Sequence, residues 1–276
     1  MQIKIITGRL SLFILSGLIQ SCSVVFEKQD GPPPGSVDVS SVPDAVPKVE
    51  PKSKYGNPES YVVNGKRYYV MNSSNGFRER GIASWYGNKF HGRRTSSGET
   101  YNMYAMTAAH KTLPLPTYVE VENLRNGKSI IVKVNDRGPF HENRIIDLSY
   151  TAAVKLDIIK TGTGLVEVRA INPGSYRVAG RGDAGKETGV LAGAGSGWDG
   201  DFYIQVGAFS SLQNARKVKS RLGILGDGLV RISEVLLDGK RIYRVRIGPI
   251  NKIDVADGIV ATLGKYGIND HHIVME

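Results

Sequence analysis

Tyr118-Val119-Glu120-Val121-Glu122, Asn126-Gly127 and Ser129-Ile130-Ile131-Val132-Lys133-Val134 make one unit of this 276-residue chain. Apolar and polar residues alternate along both arms, as on strands with one buried face. The Asn-Gly pair between them is a hairpin signal, since both residues tolerate the backbone a tight turn needs. Outward from this hairpin, Gly81-Ile82-Ala83-Ser84-Trp85-Tyr86 and Leu165-Val166-Glu167-Val168-Arg169-Ala170-Ile171 are further strand candidates. A single helix is expected from Ser149 to about Leu156, with Ser149 as its cap. So many short strands between residues 80 and 172 predict a small barrel or sandwich.

Further outward the composition changes on both sides. Tyr61 to Val70 carries β-formers around Asn64-Gly65 and is expected to be a second hairpin packed on the barrel. Residues 22–60 hold Pro32-Pro33-Pro34 and prolines at 43, 47, 51 and 58, which predict an extended tether. Glycines crowd residues 174–198, a flexible linker. The last segment alternates strand and helix signals: Phe202 to Phe209, Ser211 to Leu222, Leu229 to Leu237, Arg241 to Ile247, Asn251 to Leu263, Asp270 to Met275. That is β-α-β-β-α-β, the ferredoxin-like order. The expected divisions are 1–21, an export signal; 22–60, a disordered tether; 61–78, an accessory β-hairpin; 79–173, the barrel; 174–198, a linker; and 199–276, the second domain. The fold class is mainly β plus α+β.

The N-terminus is read before any fold. Lys4 and Arg9 precede an apolar run from Leu10 to Ile19 that stops at Gln20-Ser21-Cys22. The run is too short to span a bilayer, which takes roughly 20 apolar residues, and has the layout of an export signal. Cys22 is the only cysteine, so neither an internal disulfide nor a thiolate metal site is expected. Ile19-Gln20-Ser21-Cys22 resembles a bacterial lipobox, which implies cleavage before Cys22 and lipid on it. Ser23, where an Asp would favour inner-membrane retention, implies the outer membrane and the periplasm. The net charge of +10 suits anionic polymers or lipids, but by itself does not choose among them. Export argues against nucleic acid.

Chemistry is expected from a few polar residues of the barrel segment. Asp136 lies just past an alternating strand, before the turn at Gly138-Pro139. Glu99 lies in the polar loop Thr95-Ser96-Ser97-Gly98-Glu99-Thr100, and His110 follows Ala108-Ala109. Asp147 is embedded between apolar residues, where it either caps the helix or has a raised pKa. Positioned carboxyl groups break glycosidic bonds. Taken alone, the same residues read more readily as surface acids, a turn-stabilising aspartate and a core or loop histidine.

A family resemblance separates these readings. Gly81 to Gly87, Phe90-His91-Gly92-Arg93-Arg94 with Thr95 to Glu99, Thr107-Ala108-Ala109-His110-Lys111-Thr112-Leu113-Pro114, Val134-Asn135-Asp136-Arg137-Gly138-Pro139-Phe140 and Arg144-Ile145-Ile146-Asp147-Leu148-Ser149 resemble, in order, the motifs of the rare lipoprotein A family. The resemblance implies a double-psi β-barrel and a lytic transglycosylase of septal rings. Such an enzyme cuts glycan strands stripped of stem peptides and leaves 1,6-anhydro ends. By carry-over Asp136 is the first choice as acid/base. Glu99 is its partner, or the roles are reversed; His110 orients a carboxylate or binds sugar. Asp147 reads first as structural, and the acid of the related expansin-type barrels makes it a contender. No metal or other cofactor is implied.

Phe202-Tyr203-Ile204-Gln205-Val206-Gly207-Ala208-Phe209 and Tyr243-Arg244-Val245-Arg246-Ile247-Gly248-Pro249 resemble the first and third strands of a SPOR domain, which implies binding of peptide-free glycan at division septa. Alternation along these strands predicts Tyr203, Gln205, Arg244 and Arg246 on the open sheet face as the glycan-binding set. RNA-binding domains share the strand order but carry an aromatic signature this chain lacks. The partners expected are peptidoglycan, the membrane through lipid on Cys22, and division-septum proteins. The rival expectation is a non-catalytic wall-binding lipoprotein.

Overall fold

The computed structural model describes residues 30–35, 37–176, 200–226, 228–268 and 271–275. The export signal, Cys22 and most of the linker lie outside these residues. Six strands close into a barrel: β3 (Arg78–Trp85), β4 (Thr107–His110), β5 (Thr117–Asn123), β6 (Ser129–Asp136), β7 (Arg144–Leu148) and β8 (Thr163–Ala170). Their order is β3-β7-β4-β6-β5-β8, with β8 returning to β3. β3 runs parallel to β7 and β4 parallel to β6; the other pairs are antiparallel. The fold is thus the double-psi barrel expected.

Alternation fills it. Val119 and Val121, Ile130, Val132 and Val134, Ile146 and Leu148, and Val166 and Val168 point inward and are almost wholly buried. Each such side chain contributes about 1.5–3 kcal/mol before entropy is charged against it. The helix α1 (Tyr150–Lys155) follows β7; the Ser149 hydroxyl accepts the Ala152 amide, as expected of its cap. Ahead of the barrel, β1 (Ser60–Val63) and β2 (Lys66–Tyr69) form the second hairpin. Its Tyr61 hydroxyl donates to the Lys111 carbonyl, and Tyr61 and Tyr68 pack on Phe140.

The stretch expected to be a free tether behaves otherwise from Val39 onward. Val39 is buried, and Val42 and Ala45 pack on the barrel core. The Asp44 carboxylate accepts the Ile131 amide and pairs with Lys155; Glu50 accepts from Tyr118 and Lys133. The Asn57 side chain brackets Leu115, taking its amide and donating to its carbonyl. The prolines exclude helix and sheet, but an extended strap needs neither. It satisfies its polar groups on the barrel instead.

The second domain has β9 (Phe202–Phe209), α2 (Leu212–Arg221), β10 (Val230–Leu237), β11 (Lys240–Ile250), α3 (Ile253–Lys265) and β12 (His272–Met275). Its sheet order, β10-β11-β9-β12, is ferredoxin-like. Phe202, Ile204, Val245 and Ile247 face the helices, as alternation requires. The open face departs from expectation. Tyr203 and Arg244 keep exposed surface, but Gln205 and Arg246 are buried, at 8% and 6% exposure. Four consecutive residues of β11, Val245 to Gly248, are buried: Val245 and Ile247 face the helices, while Arg246 is covered on the open face beside its cross-strand partner Gln205. Arg246 Nε donates to Gln205 Oε1 at 3.1 Å, and Gln205 Nε2 shares a 3.2 Å hydrogen bond with His272.

The two domains touch. Ile82 and Leu165 are cross-strand partners pointing out of the barrel, yet both are fully buried in the cluster of the second domain. Beside them Arg144, 7% exposed, forms a bidentate pair with Asp257 of α3 at 2.9 and 2.5 Å.

Candidate active site

A single row across four strands gathers two of the candidate carboxyl groups. Ser84 on β3 pairs with Asp147 on β7, Asp147 with Ala109 on β4, and Ala109 with Asp136 on β6. Residues paired across a ladder share a face. This row faces outward, because Ala109 belongs to a small cluster with Tyr86, Tyr101 and Met103 outside the barrel core. A bulge brings Asp136 into the row. Ala108 pairs with Val134, but Ala109 pairs with Asp136, so Asn135 is skipped. With regular pairing Asn135 would stand where the carboxylate is.

The segment between β3 and β4 folds over one side of the row as an aromatic wall. Tyr86 and Tyr101 stack at 4.1 Å between centroids, and the Tyr101 hydroxyl donates to the Tyr86 carbonyl at 2.6 Å. Trp85 and Tyr104 each meet Tyr150 edge-on. The floor between the carboxylates is kept clear by Gly138. A Cβ there would stand 3.7 Å from the Ala109 Cβ and 3.9 Å from Asp147 Oδ2, and its φ of +140° disfavours any other residue.

The carboxyl groups sit in different surroundings. Asp136 Oδ1 accepts three hydrogen bonds, from the Ser96 amide, the Ser96 hydroxyl and the Arg137 amide, each at 2.7 Å. These fix the rotation of the carboxylate, and Oδ2 has no partner among the described residues. Asp147 takes a hydrogen bond from the Ser84 hydroxyl. Burial pushes its pKa up to about 6, against the pull of Ser84, Arg144 and Lys111 in the other direction. Two such groups on one face supply a proton donor and a proton acceptor to a ligand lying between them.

The other expected residues take supporting places. Glu99 is at the rim, 2.8 Å from Lys133 Nζ and 2.7 Å from Asn135 Nδ2. It ties the Ser96 loop to the end of β6 that carries Asp136. His110 does not bring its ring to either carboxylate. The ring is buried edge-on to Phe77, its Nδ1 accepts the amides of Thr112 and Leu113, and its Nε2 lies 3.6 Å from Glu79. Burial lowers its pKa, outweighing Glu79. His110 reaches the site through its carbonyl, which accepts from Arg137 Nη1 at 3.1 Å. Ser84 and Ser96 were not singled out in the sequence. The signal for Ser84 was the alternation Ile146-Asp147-Leu148, which marks a strand able to pair with β3.

Comparison with known proteins agrees with this geometry. Residues 78–169 match the lytic transglycolase family model, and residues 199–273 match the SPOR domain. The endolytic peptidoglycan transglycosylase RlpA of Pseudomonas aeruginosa PAO1 is 42% identical over 86% of this chain and 83% of its own length. That of Vibrio cholerae is 49% identical over 59% of this chain and 61% of its own. That of Neisseria meningitidis MC58 is 57% identical over 48% and 54%. A lytic transglycolase barrel followed by a SPOR domain, with likeness running through both, places this chain in the endolytic peptidoglycan transglycosylase RlpA family.

Proposed function

We propose that the chain cuts peptide-free glycan strands of peptidoglycan internally and leaves 1,6-anhydro ends. The observation that carries the reading is the row Asp136–Ala109–Asp147, two carboxyl groups of unlike environment on an open face beside an aromatic wall. Their Cα atoms stand roughly 10 Å apart, twice the strand spacing. A sugar ring stacked on the wall can lie between them.

Asp147, held partly protonated near neutral pH, gives its proton to the glycosidic oxygen. The C1–O bond breaks with its electron pair on that oxygen. The developing positive charge on the ring faces the carboxylate of Asp136. The sugar's own 6-hydroxyl oxygen then bonds to C1, and its proton passes to Asp136 Oδ2. No water is consumed, and solvent exchange returns the proton to Asp147. Glu99 and His110 act by position, through Asn135 and Arg137.

The SPOR domain adds a second hold on the same polymer, which raises the local concentration of strand at the barrel. Tyr203 and Arg244 form its accessible contact face, on the same sheet as the hydrogen-bonded pair Gln205 and Arg246. Lipid on Cys22 anchors the chain to the outer membrane facing the periplasm, and the SPOR domain draws it to the division septum.

The test is digestion of amidase-treated sacculi, with 1,6-anhydro ends counted by mass spectrometry. The wild-type chain should produce them, while Asp136→Asn and Asp147→Asn should each lose about 10²–10⁴-fold in rate. A wild-type chain that binds sacculi and yields no such ends would leave only a wall-binding role.

A further inference from the structure

Directly after Tyr86, the backbone amides of Gly87 and Lys89 converge on one carboxylate, and the Asn88 amide between them meets the carbonyl of the residue that follows it. Gly87 N donates to both carboxylate oxygens of Asp30, at 3.1 and 3.0 Å, and Lys89 N to Asp30 Oδ1 at 3.0 Å. Asn88 N donates to the Gly31 carbonyl at 2.9 Å. Converging amides of this kind form a nest for an anion. Gly87 makes the approach possible, since a Cβ there would lie 2.1 Å from the Gly31 oxygen.

The nest stands at the edge of the site. Gly87 is three residues beyond Ser84, the partner of Asp147, so it lies within about 10 Å of it along the chain. Asp30 acts on the site electrostatically, since its charge is felt by both Asp147 and Tyr101. A third carboxylate beside Asp136 and Asp147 is electrostatically unfavourable unless something holds it there. The chain supplies that holder and fills it with its own side chain. The strap is fastened to the barrel from Val39 onward, so Asp30 can leave without disturbing the fold.

We infer that the amides of Gly87, Asn88 and Lys89 form a carboxylate subsite for the lactyl group of a muramic acid residue, and that Asp30 is a displaceable internal occupant of it. This rests on the glycan-cutting reading above. In a strand bearing stem peptides the lactyl group is an amide: it has no charge to offer the nest and carries a bulky peptide. In a peptide-free strand it is a free carboxylate. The barrel itself then distinguishes the two strands, before any contribution from the SPOR domain.

The experiment uses the full chain from Cys22 and its Asp30→Ala variant. Kinetics compare amidase-treated glycan with the same glycan after its lactyl carboxylates are coupled to methylamine. Removing the plug should lower KM for the free-carboxylate glycan about tenfold with little change in kcat, because an occupied site taxes affinity by its unoccupied fraction. The methylamide glycan should lose that gain. Binding is read separately from the amide resonances of Gly87, Asn88 and Lys89 in labelled protein. N-acetylmuramic acid should shift them, more readily in Asp30→Ala, and N-acetylglucosamine, which lacks the lactyl group, should not. If the three amides ignore N-acetylmuramic acid in Asp30→Ala, the subsite is refuted whether or not strands are cut. If they respond and no strand is cut, the subsite stands and the enzymatic reading fails.

Discussion

Replacing Asp147 by Asn should stabilise the protein and disable it, and the stabilisation should depend on pH. The carboxyl has a pKa of about 6 when folded, against 3.8 for an aspartate free in water. Between these values the folded state binds more protons than the unfolded one. This group's contribution is therefore fully present below pH 3.8 and is lost as pH rises through 6. The whole difference is about 3 kcal/mol, and about 2 kcal/mol of it falls between pH 4.5 and 7.5. Asn keeps an oxygen for the Ser84 hydroxyl and loses the titration. In urea unfolding, the advantage of Asp147→Asn over wild type should grow by about 2 kcal/mol from pH 4.5 to 7.5. An advantage that is the same at both pH values, or absent, would refute the claim that burial holds this acid protonated. The choice of Asp147 as proton donor would fall with it.

Other outcomes follow from contacts already described. Asp257→Ala leaves the buried Arg144 without its partner and should cost about 2–3 kcal/mol, read as an earlier urea transition; an unchanged midpoint would mean solvent replaces the pair freely. Tyr203→Ala with Arg244→Ala should weaken pull-down on amidase-treated sacculi and leave the melting temperature alone, since both side chains are reachable. Gln205→Ala with Arg246→Ala should instead lower the melting temperature, because that pair is buried and hydrogen-bonded; equal melting would put both back at the surface. Cys22→Ala should move the chain from the membrane to the soluble fraction, and a variant still cleaved and membrane-bound would exclude the lipid anchor.

Both architectures were legible because they rest on local pattern. The hairpin at Asn126-Gly127, the β-α-β-β-α-β order and the Ser149 cap all come from periodicity and turn chemistry between near neighbours. What was not legible depends on register. β4 and β7 are only four and five residues long, and their partners lie far away in sequence. Alternation could not foresee the bulge that swaps Asn135 for Asp136. Nor could alternation foresee that Arg246, on the face opposite Val245 and Ile247, is covered where it meets Gln205. His110 was expected to orient a carboxylate or bind sugar. Its ring meets neither carboxylate; only its carbonyl approaches the site, accepting from Arg137 next to Asp136, a bond its side-chain chemistry does not advertise.

The strap also fixes how far the enzyme can roam. A free run from Cys22 to Ser60 could reach about 130 Å at full extension. With the chain fastened at Val39, and already engaged at Asp30, the leash is the eight Cα–Cα steps from Cys22 to Asp30, which can span about 28 Å at most. A chain lipidated at Cys22 would therefore carry its cleft close against the bilayer. It would trim the layer of wall nearest the membrane and leave more distant strands untouched. Freeing Asp30 would add the nine residues up to Val39 and roughly double that span, so substrate entry and outward reach would increase together.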